Sequence, residues 1–514
     1  MKSALMASTL LLTSLDSIQA SAASCSDLMQ LNSDRVQITT AAAQPAQTLP
    51  PDPMSAMTGG SPTQVDVGAH CLVEGKIEDR DGVNGRYGIR FQMRLPEDWN
   101  GRFLFQGGGG TDGFIAPAIG AVPSTGTTAT PALKRGYAVV SMDGGHNGMT
   151  MDFGADQQAR LDLAYASIGK VTTVAKSLIS TLYGKAADES FFMGCSNGGR
   201  EAMMAAQRYP LEFDGIVAGN PGFHLTRAAI GAIWDVQKFS AIAPEGRLYD
   251  ALTQKDLDTV SDAILAQCDS LDGIKDGVVA AYGLCDFKAS SLKGKLAPEK
   301  IKALTAVMKG AHDNNGNAVY STWPWDPGIS SAGWRAWKLG TAEQPALNII
   351  LSKPSFGALF MTPPQAVSDT PDYTALVEGV AEVGGYFDAD STYVTSYAKR
   401  GGKMIIFQGV ADPIFSADDI THWYEKTTRD TGPDVARLFM VPGMTHCGGG
   451  PAFEDFDPLA LLENWRDTGK APVSMPAKSH VFADRQMPLC AYPMYAEYQG
   501  GDKAALNSYQ CVNP

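Results

Sequence analysis

SFFMGCSNGGREAMMAAQRYP, residues 190–210, is the stretch whose reading decides the fold. SFFMG (190–194) is a short apolar run of the kind that forms a buried strand, and GREAMMAAQRYP (199–210) reads as a helix closed by Pro210. Between them, Gly194-Cys195-Ser196-Asn197-Gly198 fits G-x-S-x-G. The two glycines permit a sharp strand-to-helix turn that exposes a serine hydroxyl above a sheet. A chance match is easy in a chain with 54 Gly. The plain alternative is a glycine-rich turn whose serine caps the helix. The strand before the turn and the helix after it are the context that a nucleophile requires.

Outward from this turn the same rhythm recurs. GIRFQMRLP (88–96) alternates like a strand, and RFLFQ (102–106), YAVVSMD (137–143), DGIVAG (214–219), KMIIFQG (403–409) and ARLFMVPG (436–443) are apolar strand runs. LAYASIGKVTTVAKSLISTLY (163–183) has helical spacing. Apolar strands alternating with helices predict an α/β protein with a mostly parallel sheet covered on both faces, the α/β-hydrolase fold. Residues 40–70, rich in Ala, Pro, Thr and Gly, read as an irregular arm. Between 223 and 390 the rhythm breaks around Trp323, Trp325, Trp334 and Trp337, which marks a large inserted lid domain. The catalytic domain is therefore expected in two parts, 24–222 and 391–514, after a signal peptide at 1–23.

A serine hydroxyl needs a general base oriented by an acid, and in this fold the chain order is Ser, acid, His. His446 stands in PGMTHCGGG, a glycine-rich loop just past a strand, whereas His422 lies in a helical segment. Asp412, in QGVADPIF, directly follows the strand KMIIFQG, whereas Asp418 and Asp419 resemble helix N-terminal acids. Cys195 precedes Ser196 and Cys447 follows His446. A disulfide between them would tie the nucleophile turn to the base loop; the alternative is two unrelated thiols. Gly107–Gly110 follows RFLFQ, and backbone amides there together with that of Asn197 are candidates for an oxyanion hole. A phosphate loop is the rival, but the Lys-Ser/Thr that should follow is absent.

The chain of 514 residues carries a formal net charge of −14, which argues against nucleic acid and anionic membranes as partners. Lys2, an apolar run over 4–12 and Ala20-Ser21-Ala22 form a signal-peptide pattern, so a secreted or periplasmic protein is expected. A lipoprotein reading would modify Cys25, but residues 22–24 lack the usual aliphatic residue. The eight cysteines, 25, 71, 195, 268, 285, 447, 490 and 511, suit four disulfides in an exported chain.

GCSNGG around Ser196, GVADPIFS around Asp412 and PGMTHCGGG around His446, with both flanking cysteines, resemble the tannase and feruloyl esterase family. WNGRFLFQGGGGTDG (99–113), VVSMDGGHNG (139–148) and CDSLDGIKDGVV (268–279) extend the resemblance over nearly the whole chain. The resemblance implies a triad of Ser196, Asp412 and His446, an oxyanion hole at Gly110 and Asn197, and disulfides Cys25–Cys71, Cys195–Cys447, Cys268–Cys285 and Cys490–Cys511. It also implies a structural lid calcium held by Asp269, Asp272 and Asp276 with the carbonyls of Ile274 and Val278, and no organic cofactor. Hard oxygen ligands at this density suit calcium. A solvated acidic loop is the alternative. Asp313, Asn315 and Asn317 approach an EF-hand pattern, but Ala318 stands where its glycine belongs.

Members of that family cleave esters of aromatic acids, so the expected partner is a small aromatic ester. Trp337, in GWRAWKLG, and Phe415, beside Asp412, match aromatic positions of such a pocket; the alternative for Trp337 is a core tryptophan. Where the family holds a terephthalate monoester, a lid arginine pairs with the free carboxylate. That position falls on Leu347, and the neighbouring aromatic position on Leu351. Unless Lys338, Lys353 or Arg335 substitutes, an uncharged feruloyl- or galloyl-type acyl group fits better. The expected function is a secreted serine carboxylic-ester hydrolase that works through an acyl-enzyme. Terephthalate monoester hydrolysis is the first alternative, peptidase or lipase chemistry on the same fold the second. A calcium-stabilised extracellular binding protein with a silent triad is an alternative of another class.

Overall fold

In the computed structural model, which describes residues 23–514, the apolar runs around Ser196 become central strands. Nine strands form one sheet: β1 (Val36–Gln44), β2 (His70–Gly82), β3 (Gly85–Pro96), β4 (Arg102–Gln106), β5 (Ala138–Met142), β6 (Glu189–Cys195), β7 (Gly215–Gly219), β8 (Lys403–Gly409) and β9 (Ala436–Val441). Their spatial order is β1-β2-β3-β5-β4-β6-β7-β8-β9. β1, β2 and β3 pair antiparallel, and β3 meets β5 antiparallel; every pairing from β5 to β9 is parallel. This is the mostly parallel sheet of an α/β-hydrolase fold. The expected signal peptide lies almost wholly outside the described residues.

Strand alternation divides the side chains between two cores. Phe103, Phe105, Phe192, Ile216 and Ile406 enter one, beneath the helices α1 (Ser167–Tyr183) and α2 (Asn197–Arg208). Leu104, Phe191, Val217, Ile405 and Phe407 enter the other, beneath a C-terminal helix (Pro458–Thr468). Burial on both faces is why these strands read as continuous apolar runs rather than alternating ones.

Residues 40–70 depart from the expected irregular arm. Ala41–Gln44 belong to β1 and pair with β2, and Gln47–Leu49 pairs with Val65–Val67. An Ala- and Thr-rich edge strand carries little apolar alternation; backbone pairing with β2 holds it instead. Between β7 and β8 the chain is mainly helical, with α3 (Leu225–Ser240), α4 (Gln254–Cys268) and α5 (Ala332–Lys338) around a third core that includes Ile230, Phe239, Trp334 and Phe387. That core runs into Leu163, Ile414 and Phe415 of the sheet-bearing part, which brings the helical segment over the C-terminal ends of the parallel strands. The four disulfides Cys25–Cys71, Cys195–Cys447, Cys268–Cys285 and Cys490–Cys511 are all present.

Candidate active site

Ser196 occupies the turn between β6 and α2 with φ 60° and ψ −123°, the strained geometry of a nucleophile elbow. The close approach requires its glycines. A Cβ on Gly194 would lie 2.6 Å from the carbonyl carbon of Gly198, and one on Gly198 would lie 2.6 Å from the oxygen of Gly108. His446 Nε2 lies 2.8 Å from Ser196 Oγ, and His446 Nδ1 lies 2.9 Å from Asp412 Oδ2. Asp412 is fully buried past the end of β8. Its Oδ1 accepts the amides of Ile414 (2.8 Å) and Phe415 (3.1 Å), and its Oδ2 accepts Asn220 Nδ2 (2.6 Å). The side chain is thereby held in one orientation toward the imidazole.

The Cys195–Cys447 disulfide joins the residue before Ser196 to the residue after His446, with Cα atoms 6.1 Å apart. Both cysteines are buried, and the N-terminal arm packs on them: a Cβ on Gly59 would lie 2.7 Å from Cys447 Cβ. Asp418 and Asp419 sit in the first turn of α6 (Ala417–Asp430), and His422 projects from that helix into solvent. Neither acid enters the triad.

Above Ser196 lies a cleft whose lining includes Gly110, Asn197, Trp337 and Phe415. The structure thus brings together every residue expected for the oxyanion hole and the substrate wall. The Trp337 and Phe415 rings stand edge-on to the His446 imidazole, with centroids 5.3 and 5.4 Å away. Leu351, the position read from the sequence as the neighbouring aromatic one, is on the wall; sequence reasoning missed others, among them Leu163, Leu225, Leu359, Phe360 and Phe387. No Lys, Arg, Asp or Glu is among the lining residues. Leu351 lines the cleft and Leu347 does not. The cations considered in place of a lid arginine are engaged elsewhere. Lys338 is buried and paired with Asp235, Lys353 pairs with Asp369 at 2.5 Å, and Arg335 donates to the carbonyls of Leu252 and Tyr249.

In the 269–278 loop, Asp269 Oδ1 accepts the amides of Asp276 (3.2 Å) and Gly277 (3.0 Å), and Asp272 Oδ2 accepts that of Ala280 (2.9 Å). Burial, with Asp276 and Asp269 nearby, pushes the Asp272 carboxyl up to about 7. Asp276 is turned to Arg485. The donor set of three carboxylates and two carbonyls fits calcium in kind. Among the described residues, however, no group of three or more His, Cys, Asp or Glu side chains surrounds one point closely enough to hold a metal ion.

A serine, a histidine and a buried aspartate in line, on the C-terminal edge of this sheet, define a serine-type carboxylic ester hydrolase of the α/β-hydrolase fold. The family model described as tannase and feruloyl esterase matches residues 71–512, and the chain belongs to that family. Its curated relatives include mono(2-hydroxyethyl) terephthalate hydrolase of Piscinibacter sakaiensis, 36% identical over 87% of this chain and 85% of that protein. Another is a probable feruloyl esterase of Arthroderma benhamiae, 28% identical over 84% of this chain and 83% of the relative. Among solved structures, feruloyl esterase B from Aspergillus oryzae has the same fold, with a TM-score of 0.77, 21% identity and coverage of 95% of this chain and 99% of that one.

Proposed function

We propose that the protein hydrolyses esters of uncharged aromatic acids, of the feruloyl or galloyl type, through an acyl-enzyme. One observation carries the substrate class: the nucleophile opens into a cleft walled by Trp337, Phe415, Phe360 and Phe387 with no cationic side chain on it. An apolar slot walled by aromatic rings suits an aromatic ring, whose faces it can bury. A free carboxylate placed there would be desolvated without a partner, which is costly. For that reason terephthalate monoester hydrolysis is the second reading, although the relative that carries out that reaction is 36% identical.

In the proposed reaction His446, oriented by Asp412, takes the Ser196 proton as Oγ attacks the ester carbonyl. The amides of Gly110 and Asn197 receive the oxyanion, and the alcohol leaves with the proton carried by His446. Water, deprotonated by the same imidazole, then releases the aromatic acid and restores the serine. Four disulfides support action outside the reducing cytosol. The 269–278 loop is proposed to take a structural calcium, which would neutralise Asp269 and Asp272.

A hydrolysis panel tests the substrate reading: methyl ferulate, methyl gallate, a terephthalate monoester, its bis-ester and a long-chain lipid ester. Preference for methyl ferulate or methyl gallate is expected, and preference for the monoester or the lipid ester would overturn it. Ser196→Ala is expected to lower kcat by about 10⁴-fold or more with the fold retained. Turnover that survives it would refute the triad, and with it the acyl-enzyme. Metal analysis with chelator-dependent melting tests the calcium site; protein that holds no calcium and melts unchanged in chelator would refute it.

A further inference from the structure

Beneath the Gly110 loop two carboxyl groups are buried together. Asp112 is 1% exposed and Glu201, on α2, is fully buried. Asp112 Oδ1 accepts the amide of Gly109 (3.0 Å) and the side-chain amide of Asn197 (3.0 Å). Glu201 Oε2 accepts the amide of Gly108 (3.1 Å), and its Oε1 lies 3.4 Å from the same Asn197 nitrogen. The pair therefore grips both strands of the oxyanion hole: the backbone just before Gly110 and the residue just after Ser196. Arg200 Nε holds the other end of the Asn197 amide (2.7 Å) while its guanidinium binds the carbonyls of Leu163 (2.9 Å) and Ala164 (2.6 Å).

The hydrogen-bond count shows how the pair is built. Every contact on Asp112 Oδ1 is a donor, so that oxygen accepts. Asp112 Oδ2 is buried and has no hydrogen-bond partner. Glu201 faces donors on both oxygens and is the acceptor between them. Asp112 and Glu201 interact side chain to side chain; two adjacent buried carboxylates cannot both be ionised at acceptable cost, and one proton shared between them removes the repulsion. Burial, and then the charge and hydrogen bond of Glu201, hold Asp112 well above the usual carboxylate range. The charged or titratable groups around it are Glu201 and Arg200 on α2, and Asp143 and His146 on the loop after β5, whose Gly144 packs against Oδ2.

We infer that Asp112 and Glu201 are positioning residues: a proton-sharing acid pair, with Asp112 as the neutral member, that sets the two oxyanion amides of Gly110 and Asn197 in place. This rests on the proposed esterase reaction, because the amides matter only if an oxyanion forms between them. Neither carboxyl touches the cleft, so substrate affinity should not depend on them.

The inference makes the two acids respond differently to amide replacement. Asp112→Asn keeps an acceptor for Gly109 and Asn197 and supplies an N–H to Glu201, whereas Glu201→Gln turns an N–H against a group that already donates. Asp112→Ala is expected to lower kcat by about 10²-fold with KM nearly unchanged, the loss typical of a displaced oxyanion donor. Asp112→Asn should restore most of that loss, and Glu201→Gln should not. In the unmodified protein, infrared difference spectra against Asp112→Asn should show a protonated carboxylic acid at about pH 8, far above the ordinary value of about 4. An Asn variant as slow as the Ala variant, a Gln variant as fast as the parent, or the absence of that carboxyl band would overturn the inference. The band needs no turnover. It therefore separates failure of this inference from failure of the esterase reading, which Ser196→Ala decides.

Discussion

Asn220 ties the acid loop to the base loop: its Nδ2 donates to Asp412 Oδ2 at 2.6 Å and reaches the carbonyl of Thr445, beside His446, at 3.3 Å. It stands just past β7 with φ 35°, a left-handed backbone that few side chains adopt. Asn220→Gly keeps that backbone and removes the amide. A hydrogen bond to a charged group contributes about 1.5–3 kcal/mol. The variant should therefore lose about 10- to 100-fold in kcat with little change in KM. Steady-state kinetics beside a melting curve will check this; an unchanged kcat would mean that Gln408, whose Nε2 donates to Asp412 Oδ2 at 3.3 Å, and the loop amides orient Asp412 unaided.

The Cys195–Cys447 disulfide bridges a sequence separation of 252 residues and lies between the nucleophile and base loops. Replacing both cysteines by alanine should cost about 2–5 kcal/mol of stability. Activity measured well below the lowered melting temperature should also fall, because the separation of Ser196 and His446 is no longer held. A stability loss with full activity would assign the bridge to folding alone.

Leu351 lines the cleft on a stretch that carries no cation, so it is the position from which to reverse the preferred acyl charge. Leu351→Arg should raise kcat/KM for a terephthalate monoester relative to methyl ferulate by about 10- to 100-fold, from a charge-assisted hydrogen bond of about 1.5–3 kcal/mol. Leu347→Arg, outside the lining, should not. Competition assays on the two esters decide between them; equal effects would show that the charge acts at a distance rather than by contact.

Asp156 links the β2–β3 turn to the helical segment that follows. It accepts both terminal nitrogens of Arg80 (2.9 and 2.5 Å) and the amides of Val83 (3.0 Å) and Ala159 (2.9 Å). The Arg80 hydrogen bond holds its carboxyl well below the usual carboxylate range. A depressed acid contributes stability above its unfolded value of about 3.9, and that stability is lost as pH falls through the folded value. Asp156→Asn should melt lower than the parent at about pH 7, with the gap closing below about pH 4. A gap independent of pH would mean that the loss is steric.

Local chemistry is what the amino-acid sequence determined by itself. Ser196 is legible because a strand–turn–helix with glycines two residues either side admits few other structures. Asp412 and His446 are legible because each follows an apolar strand directly. Cys195–Cys447 is suggested by its place beside Ser196 and His446, but the full set of four cystine pairs came from the family resemblance, because spacing alone leaves the pairing open. The tertiary structure decided what depends on distant segments meeting. Val36–Gln44 is a strand only because β2 offers an edge to pair with. Asp112, Glu201 and Asn220 are ordinary polar residues in sequence, and become part of the site only where burial forces each to find a partner. The cleft wall was hidden for a geometric reason. Leu163, Leu225, Phe360 and Phe387 come from four separate stretches of the chain, and only the fold brings them to one cleft.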